Sequence, residues 1–365
     1  MRIGIDARPL KFKEYSGIPR VVFEVLRVWM EKYPEHEYYL ISNTNIEIPI
    51  ELPDNWHKVI VPGAFHNNGT IWQIYKLKSV VKKLSLDVYW GTNYMLPFSK
   101  ISGCKYLLTI HDLAFYRFKR TSSWKTSLVL KLFLKPSSKL ADYIHVVSDS
   151  TKADVVKYLG IDQEKIHTVY LGFNENKKSL NCKEELPEYK YFMVLGTIEP
   201  RKNPMTILKA YEHFLEECSE EVHLVFAGKM GWRMNGFRSE LEKSQYLDRI
   251  HILGFITEER KQQLLANAEA LLFPSLYEGF GIPILESMNA KTPVITSRVS
   301  SMPEVAGNAA FYIDDVYDYK MLANIMNAVL DMNTADREAL DSKMADNLKK
   351  FSWDECARQI MDIID

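Results

Sequence analysis

Short apolar runs alternate with stretches of helical period along almost the whole chain. In the first half, residues 2–6, 38–42, 58–61, 88–90, 106–110, 143–147 and 167–171 have strand length and strand composition. Residues 18–33 and 70–84 place their apolar positions at helical spacing between those runs. The polar stretch 174–189, which contains Pro187, reads as a linker. A second series then begins, with strands expected at 191–195, 222–226, 250–253, 270–273 and 293–296. Helix starts are marked by Asn203-Pro204, a cap followed by proline, and by Ser352-Trp-Asp-Glu355, a capping box. Strand and helix alternating in this way imply parallel α/β layers, and two doubly wound domains account for the interruption.

Composition supports that division. At 365 residues the chain exceeds one ordinary domain, and 47% hydrophobic residues can fill two cores. Charge is unevenly spread: residues 1–180 carry 26 Lys and Arg against 17 Asp and Glu, and the remainder carries 20 against 30. The first half therefore suits an anionic surface although the whole is nearly neutral. The four cysteines have no paired spacing of a zinc or redox motif. With no signal peptide or membrane-length apolar stretch read in the sequence, a cytoplasmic location is expected.

The richest chemistry falls at residues 273–286. Glu278 and Glu286 flank a turn containing Gly279, Phe280, Gly281 and Ile282, with Pro283 expected at the first helical position and Glu286 in the first helical turn. Strand, glycine turn and helix in that order aim free amides and a positive helix end at one spot, which makes an anion site. Carboxylates beside it fit a phosphate that carries a sugar, because hydroxyls need acceptors. Other strand ends add to it. Gly196 and Thr197 precede the adjacent cations Arg201 and Lys202, well placed for a diphosphate. Gly228 and Lys229 follow the next strand, and Leu253, Phe255 and Ile256 end the third. In the first half Gly17 precedes a helix, and His111 follows an apolar strand. Neither a Walker loop nor a Gly-x-Gly-x-x-Gly after the first strand occurs, which counts against a P-loop NTPase and a nicotinamide dehydrogenase.

The Glu-Gly-Phe-Gly-Ile-Pro-Ile-Leu-Glu turn resembles the paired-glutamate signature of retaining glycosyltransferases of family 4. The resemblance extends to Gly4-Ile-Asp-Ala-Arg8, His111-Asp-Leu113, Val147-Ser-Asp-Ser150, Gly228-Lys-Met-Gly-Trp232, Ser300-Ser-Met-Pro-Glu-Val-Ala-Gly307 and Phe351-Ser-Trp353. It implies the GT-B fold, two Rossmann-like domains facing a central cleft. An acceptor domain is expected over 1–175 and a nucleotide-sugar domain over 188–348. Residues 349–365 would form a helix crossing back to the first domain. Carried onto these residues, Glu286 would hold the ribose and Glu278 the donor sugar. Lys202 and Arg201 would neutralise the departing diphosphate, His111 would contact the donor sugar, and Gly17 would let its loop approach the phosphates. Leu253, Phe255 and Ile256 would border the base. Many relatives carry Arg where this chain has Thr197, so Arg201 is expected to supply that charge.

The implied reaction retains configuration and needs neither metal nor cofactor. GDP-mannose is the first expected donor and a UDP-sugar the second, with a glycan or lipid-linked acceptor of cell-surface polysaccharide or lipopolysaccharide. An epimerase acting on the same donor and a non-catalytic nucleotide-sugar scaffold are the competing readings. Nucleic acid is not an expected partner. Segment 117–139 holds Arg117, Lys119, Arg120, Lys125, Lys131, Lys135 and Lys139 without an acid, interleaved with Trp124, Leu128, Leu132 and Phe133. Two readings stand for it: a helix lying on the anionic inner leaflet of the plasma membrane, or a packed helix with exposed lysines.

Overall fold

The computed structural model describes residues 1–11, 15–62, 69–118, 124–174 and 185–365, without the side chains of residues 70, 71, 74 and 124–127. Two compact units divide the chain: Met1–Gly172 together with Ser352–Asp365, and Phe173–Phe351.

The first unit is a seven-stranded sheet. Its strands are β1 (Arg2–Asp6), β2 (Glu37–Ser42), β3 (Trp56–Ile60), β4 (Val88–Gly91), β5 (Lys105–Ile110), β6 (Tyr143–Val146) and β7 (Ile166–Thr168). They lie in the order β3-β2-β1-β4-β5-β6-β7, with every neighbouring pair parallel. Burial on both faces explains why β2, β4 and β5 read as continuous apolar runs rather than alternating ones. Helix Ile18–Lys32 packs against the final helix, Trp353–Ile364. There the Trp29 indole N–H donates to the Ala357 carbonyl at 2.9 Å. The last helix thus belongs to the first unit although the second precedes it in the chain. Ser352 caps it by accepting from Asp354 N–H at 3.1 Å. The capping box is not completed, because the Glu355 carboxylate turns outward to Arg358 and Gln359.

The expected helix at 70–84 forms as Gly69–Leu84, but with a π-helical stretch, Gln73–Leu77, inside it. Within that stretch Gln73 turns inward, its amide donating to the Met95 carbonyl, while Tyr75 is exposed. Residues 175–184 of the expected linker lie outside the described residues.

The second unit is a six-stranded parallel sheet. Its strands are β8 (Lys190–Leu195), β9 (Val222–Ala227), β10 (Ile250–Gly254), β11 (Ala270–Phe273), β12 (Val294–Ser297) and β13 (Phe311–Ile313). The order β10-β9-β8-β11-β12-β13 reverses between β8 and β11. At such a reversal the flanking loops diverge to opposite faces and leave a crevice at the carboxyl ends of the strands. β13 has no counterpart among the expected strands; it is short and only its last residue is buried, so it leaves little apolar pattern to read. Phe192, Phe214, Phe226 and Tyr211 fill the core beneath the crevice.

Candidate active site

The loops after β8, β9 and β11 meet at that reversal. Gly196 and Gly228 pass so closely that a Cβ on Gly228 would stand 1.9 Å from the Gly196 carbonyl oxygen. Hydrogen bonds from Ile198 N to Lys229 O and from Gly231 N to Ile198 O zip these two loops together. Thr197 projects to solvent and Lys229 is exposed, its ammonium 5.2 Å from the centre of the Phe255 ring. Leu253 and Phe255 are exposed at the end of β10 and Ile256 is half-buried. Among the nucleotide-edge candidates these are open apolar surface.

Arg201 and Lys202 lie within one 3-10 turn, Pro200–Lys202. Asn203 does not cap the next helix as expected. It adopts the left-handed region at φ 59°, and its amide donates to the Val316 carbonyl at 2.6 Å and the Pro274 carbonyl at 3.3 Å. Asn203 thereby ties the β8 loop to the loop after β11, as does Leu276 N donating to the Arg201 carbonyl at 2.8 Å.

Those ties bring three charges together. Glu278 places one carboxylate oxygen 2.5 Å from Arg201 Nη1 and the other 2.7 Å from Lys202 Nζ. Arg201 also donates to Glu199 through Nε and Nη2, and to the Tyr277 carbonyl through Nη1. Lys202 lies 4.1 Å above the Phe273 ring, so its desolvated charge faces both a carboxylate and a π-face. Burial pushes the Glu278 carboxyl up, but Arg201, Lys202 and the Ser275 hydroxyl outweigh it and hold it down to about 2. Burial draws the Lys202 ammonium below its usual range, an effect that Glu278 opposes and Arg201 reinforces. Both cations expected to meet a diphosphate are thus held by the glutamate expected to meet the sugar.

The turn behind Glu278 is itself clamped. Ser301 donates to the Glu278 and Phe280 carbonyls at 3.0 and 2.6 Å, and Ser300 donates to the Glu278 carbonyl at 2.5 Å. Glu278, Gly279, Phe280 and Gly281 are all buried, and Ile282 is half-buried. Gly281 enters the helix at φ 117°, a conformation closed to most side chains. Helix Ile282–Asn289 therefore starts one residue before Pro283, and Glu286 falls in its second turn rather than its first. Glu286 pairs with Lys261 at 2.7 Å, in helix Glu258–Asn267.

Gly17 and His111 belong to the first unit. Gly17 stands exposed before helix Ile18–Lys32 at φ 61°, with no neighbour within 4 Å of a would-be Cβ. His111 follows β5 and is buried. Its Nε2 lies 2.9 Å from the Thr92 carbonyl, which can only accept, so the proton sits on Nε2 and Nδ1 keeps the lone pair. Burial lowers its pKa to about 4 against that hydrogen bond, leaving a neutral imidazole at pH 7. Thr92 is fixed in turn by donating its hydroxyl to the Asp6 carbonyl at 2.7 Å.

Glu199, Lys261, Ser300 and Ser301 support the site but were not singled out as site residues from the sequence. Ser300 and Ser301 did fall within a motif carrying the resemblance, and Glu199 within the loop Gly196–Asn203. Asp314, Asp315 and Asp318 belong to local structure: Asp314 pairs with Arg298, Asp315 accepts from Tyr317 N and Asp318 caps a helix.

Two Rossmann-like units, one with a cation–glutamate cluster at its reversal point, define a glycosyltransferase of the GT-B class. Residues 15–177 match the glycosyltransferase family 4 model and residues 175–351 the glycosyl transferases group 1 model; the chain belongs to this family. The O-antigen chain mannosyltransferase B of Escherichia coli is 28% identical over 280 residues, covering 74% of this chain and 72% of that protein. The O-antigen chain mannosyltransferase RfbU of Salmonella typhimurium is 25% identical over 248 residues, covering 67% of this chain and 66% of that protein. The crystal structure of WaaG, a glycosyltransferase involved in lipopolysaccharide biosynthesis, superposes with a TM-score of 0.71 at 17% identity, over 100% of this chain and 99% of that one. That likeness establishes the shared fold.

Proposed function

We propose that this glycosyltransferase moves a hexose, mannose first, from a nucleoside diphosphate to a glycan or lipid-linked acceptor in cell-surface polysaccharide synthesis, with retention of configuration. The O-antigen mannosyltransferase relatives support mannose and hence GDP-mannose as donor, with a UDP-sugar as the alternative. The observation that carries the reading is the Arg201–Glu278–Lys202 cluster at the sheet reversal.

Breaking the anomeric C–O bond puts negative charge on the diphosphate and positive charge on the sugar ring. In this reading the diphosphate displaces Glu278 from Arg201 and Lys202, and the released carboxylate accepts from sugar hydroxyls. The two cations, with the amides of the turn and of helix Ile282–Asn289, then meet charge as it develops on the leaving group. Because the protein supplies that charge, the proposed transfer draws on no metal ion. The leaving phosphate assists deprotonation of the acceptor on the same face. Neutral His111 offers Nδ1 as an acceptor to a donor-sugar hydroxyl.

In this reading the enzyme meets a lipid-linked acceptor at the inner leaflet of the plasma membrane, with segment 117–139 as its contact. Among the described residues no helix is long and apolar enough to cross a membrane.

The test is incubation of the full chain with GDP-mannose, or with UDP-sugars, in the presence and absence of a lipid-linked glycan extract. Nucleoside diphosphate release that depends on the extract is expected. Conversion of the donor without release would overturn the reading in favour of an epimerase, and binding without either change in favour of a scaffold. Lys202→Ala should cost about 3–4 kcal/mol in the barrier, the scale of losing one oxyanion donor.

A further inference from the structure

The carboxylate of Glu286 is held from outside its own helix. Lys261 Nζ lies 2.7 Å from Glu286 Oε1 and 2.8 Å from Glu258 Oε2, and the Lys261 and Glu286 side chains are only 11% and 9% exposed. A lysine this buried is uncommon unless paired, and a surface ion pair would not require it. Lys261 sits near the start of helix Glu258–Asn267, which follows the end of β10 that carries Leu253 and the loop that carries Phe255. Thr257 caps that helix by accepting from Arg260 N–H at 3.2 Å, which fixes where Lys261 emerges. A carboxylate near a diphosphate is repelled by it unless a cation offsets its charge. A carboxylate already locked in one rotamer also spares the ordering cost at binding.

We propose that Lys261 is a positioning residue for the donor nucleotide: it holds the Glu286 carboxylate where ribose hydroxyls are received and offsets its charge. The proposal rests on the reading of the second unit as the donor-nucleotide unit with Glu286 on the ribose.

Calorimetric titration of the full chain with GDP and 2′-deoxy-GDP, and with UDP and 2′-deoxy-UDP, tests it. The unmodified protein should prefer the ribonucleotide by about tenfold, the scale of one hydrogen bond to a charged group. Glu286→Gln should abolish that preference. Lys261→Met should reduce it to below about threefold, with the 2′-deoxy affinity falling only by the smaller amount that the uncovered Glu286 charge repels the diphosphate, because only a ribose-directed role separates the two ligands. Lys261→Gln, which keeps most of the stem, should behave alike and serves if the Met variant does not fold. In steady state both should raise the donor KM with kcat little changed. Loss of the preference in Glu286→Gln but not in either Lys261 variant would overturn the proposal and leave the ribose reading standing. A preference that survives Glu286→Gln, or no binding of either ribonucleotide, would overturn the ribose reading itself.

Discussion

Glu278 has two relations to the donor, and they pull its substitutions in opposite directions. Its carboxylate is proposed to bind the sugar, yet without ligand it neutralises Arg201 and Lys202. Glu278→Gln leaves the buried Lys202 without its carboxylate and Arg201 with Glu199 alone, which should destabilise the unliganded protein by about 3 kcal/mol. The same change removes a competing anion, so nucleoside diphosphate should bind several-fold more tightly while transfer falls about 100-fold or more. Glu286→Ala should instead weaken nucleotide binding. Thermal shift with GDP and UDP, read beside transfer rates, separates the two: equal losses of nucleotide affinity would show that the carboxylates do not divide the work. Glu278, Lys202 and Arg201 could be singled out from sequence because strand ends and helix starts confine them to one edge of one sheet. Lys261 could not, because its partner Glu286 comes from a different helix and no spacing rule links the two; Glu199 could not, because a glutamate two residues before an arginine reads as an ordinary solvated pair. Arg201 illustrates the limit: its charge was legible, its grip on Glu278 and Glu199 was not.

At the scale of elements, the strand pattern was legible because parallel strands buried on both faces read as unbroken apolar runs. The glycine turn was legible for a different reason, since Gly281 takes a backbone angle few residues tolerate. What the pattern hid were exchanges of one polar solution for another. Asn203 looks like a cap and instead bridges two loops, and Glu355 completes an apparent capping box yet bonds forward along its own helix. The close approach of Gly228 to Gly196 after β9 is another feature that the pattern did not show. Gly228→Ala would drive a Cβ into the Gly196 carbonyl at 1.9 Å, backbone against backbone, with no flexible side chain to yield. The loops after β8 and β9 must then separate, breaking the hydrogen bonds at Ile198 and Gly231. A loss of about 3 kcal/mol or more is expected, at the upper end of single substitutions. Denaturant unfolding measures it directly; a loss under about 1 kcal/mol would mean that the two loops are not packed as described.

Over the whole molecule, the excess of basic residues in the first half gains a location on helix Trp124–Leu140. Lys119 and Arg120 lie outside the described residues, as do the side chains of Trp124 and Lys125. Along the described remainder, Leu134, Ser137 and Ser138 are buried, and Leu130 and Phe133 pack partly on the core, so the helix is anchored as the packed-helix reading requires. Its other face does not fit that reading alone. Leu128 and Leu132 are 49% and 59% exposed, one turn apart, and Lys131, Lys135 and Lys139 are exposed beside them. Phe98, 58% exposed, extends the apolar patch by an edge-to-face contact with Phe133. Apolar side chains flanked by lysines suit the boundary between headgroups and acyl chains, where each basic residue contributes roughly 1 kcal/mol near an anionic surface. The proposed membrane contact therefore predicts flotation of the full chain with phosphatidylglycerol vesicles at low salt, release at high salt, and no flotation with neutral vesicles. Two variants divide the forces. Lys131→Glu with Lys135→Glu should abolish flotation, whereas Leu128→Ser with Leu132→Ser should weaken it and make what remains more sensitive to salt. Neither pair touches the donor machinery, so nucleotide binding in solution should be unchanged. Wild-type protein that stays with the soluble fraction at low salt would return this helix to ordinary solvated lysines and confine its role to packing the first unit.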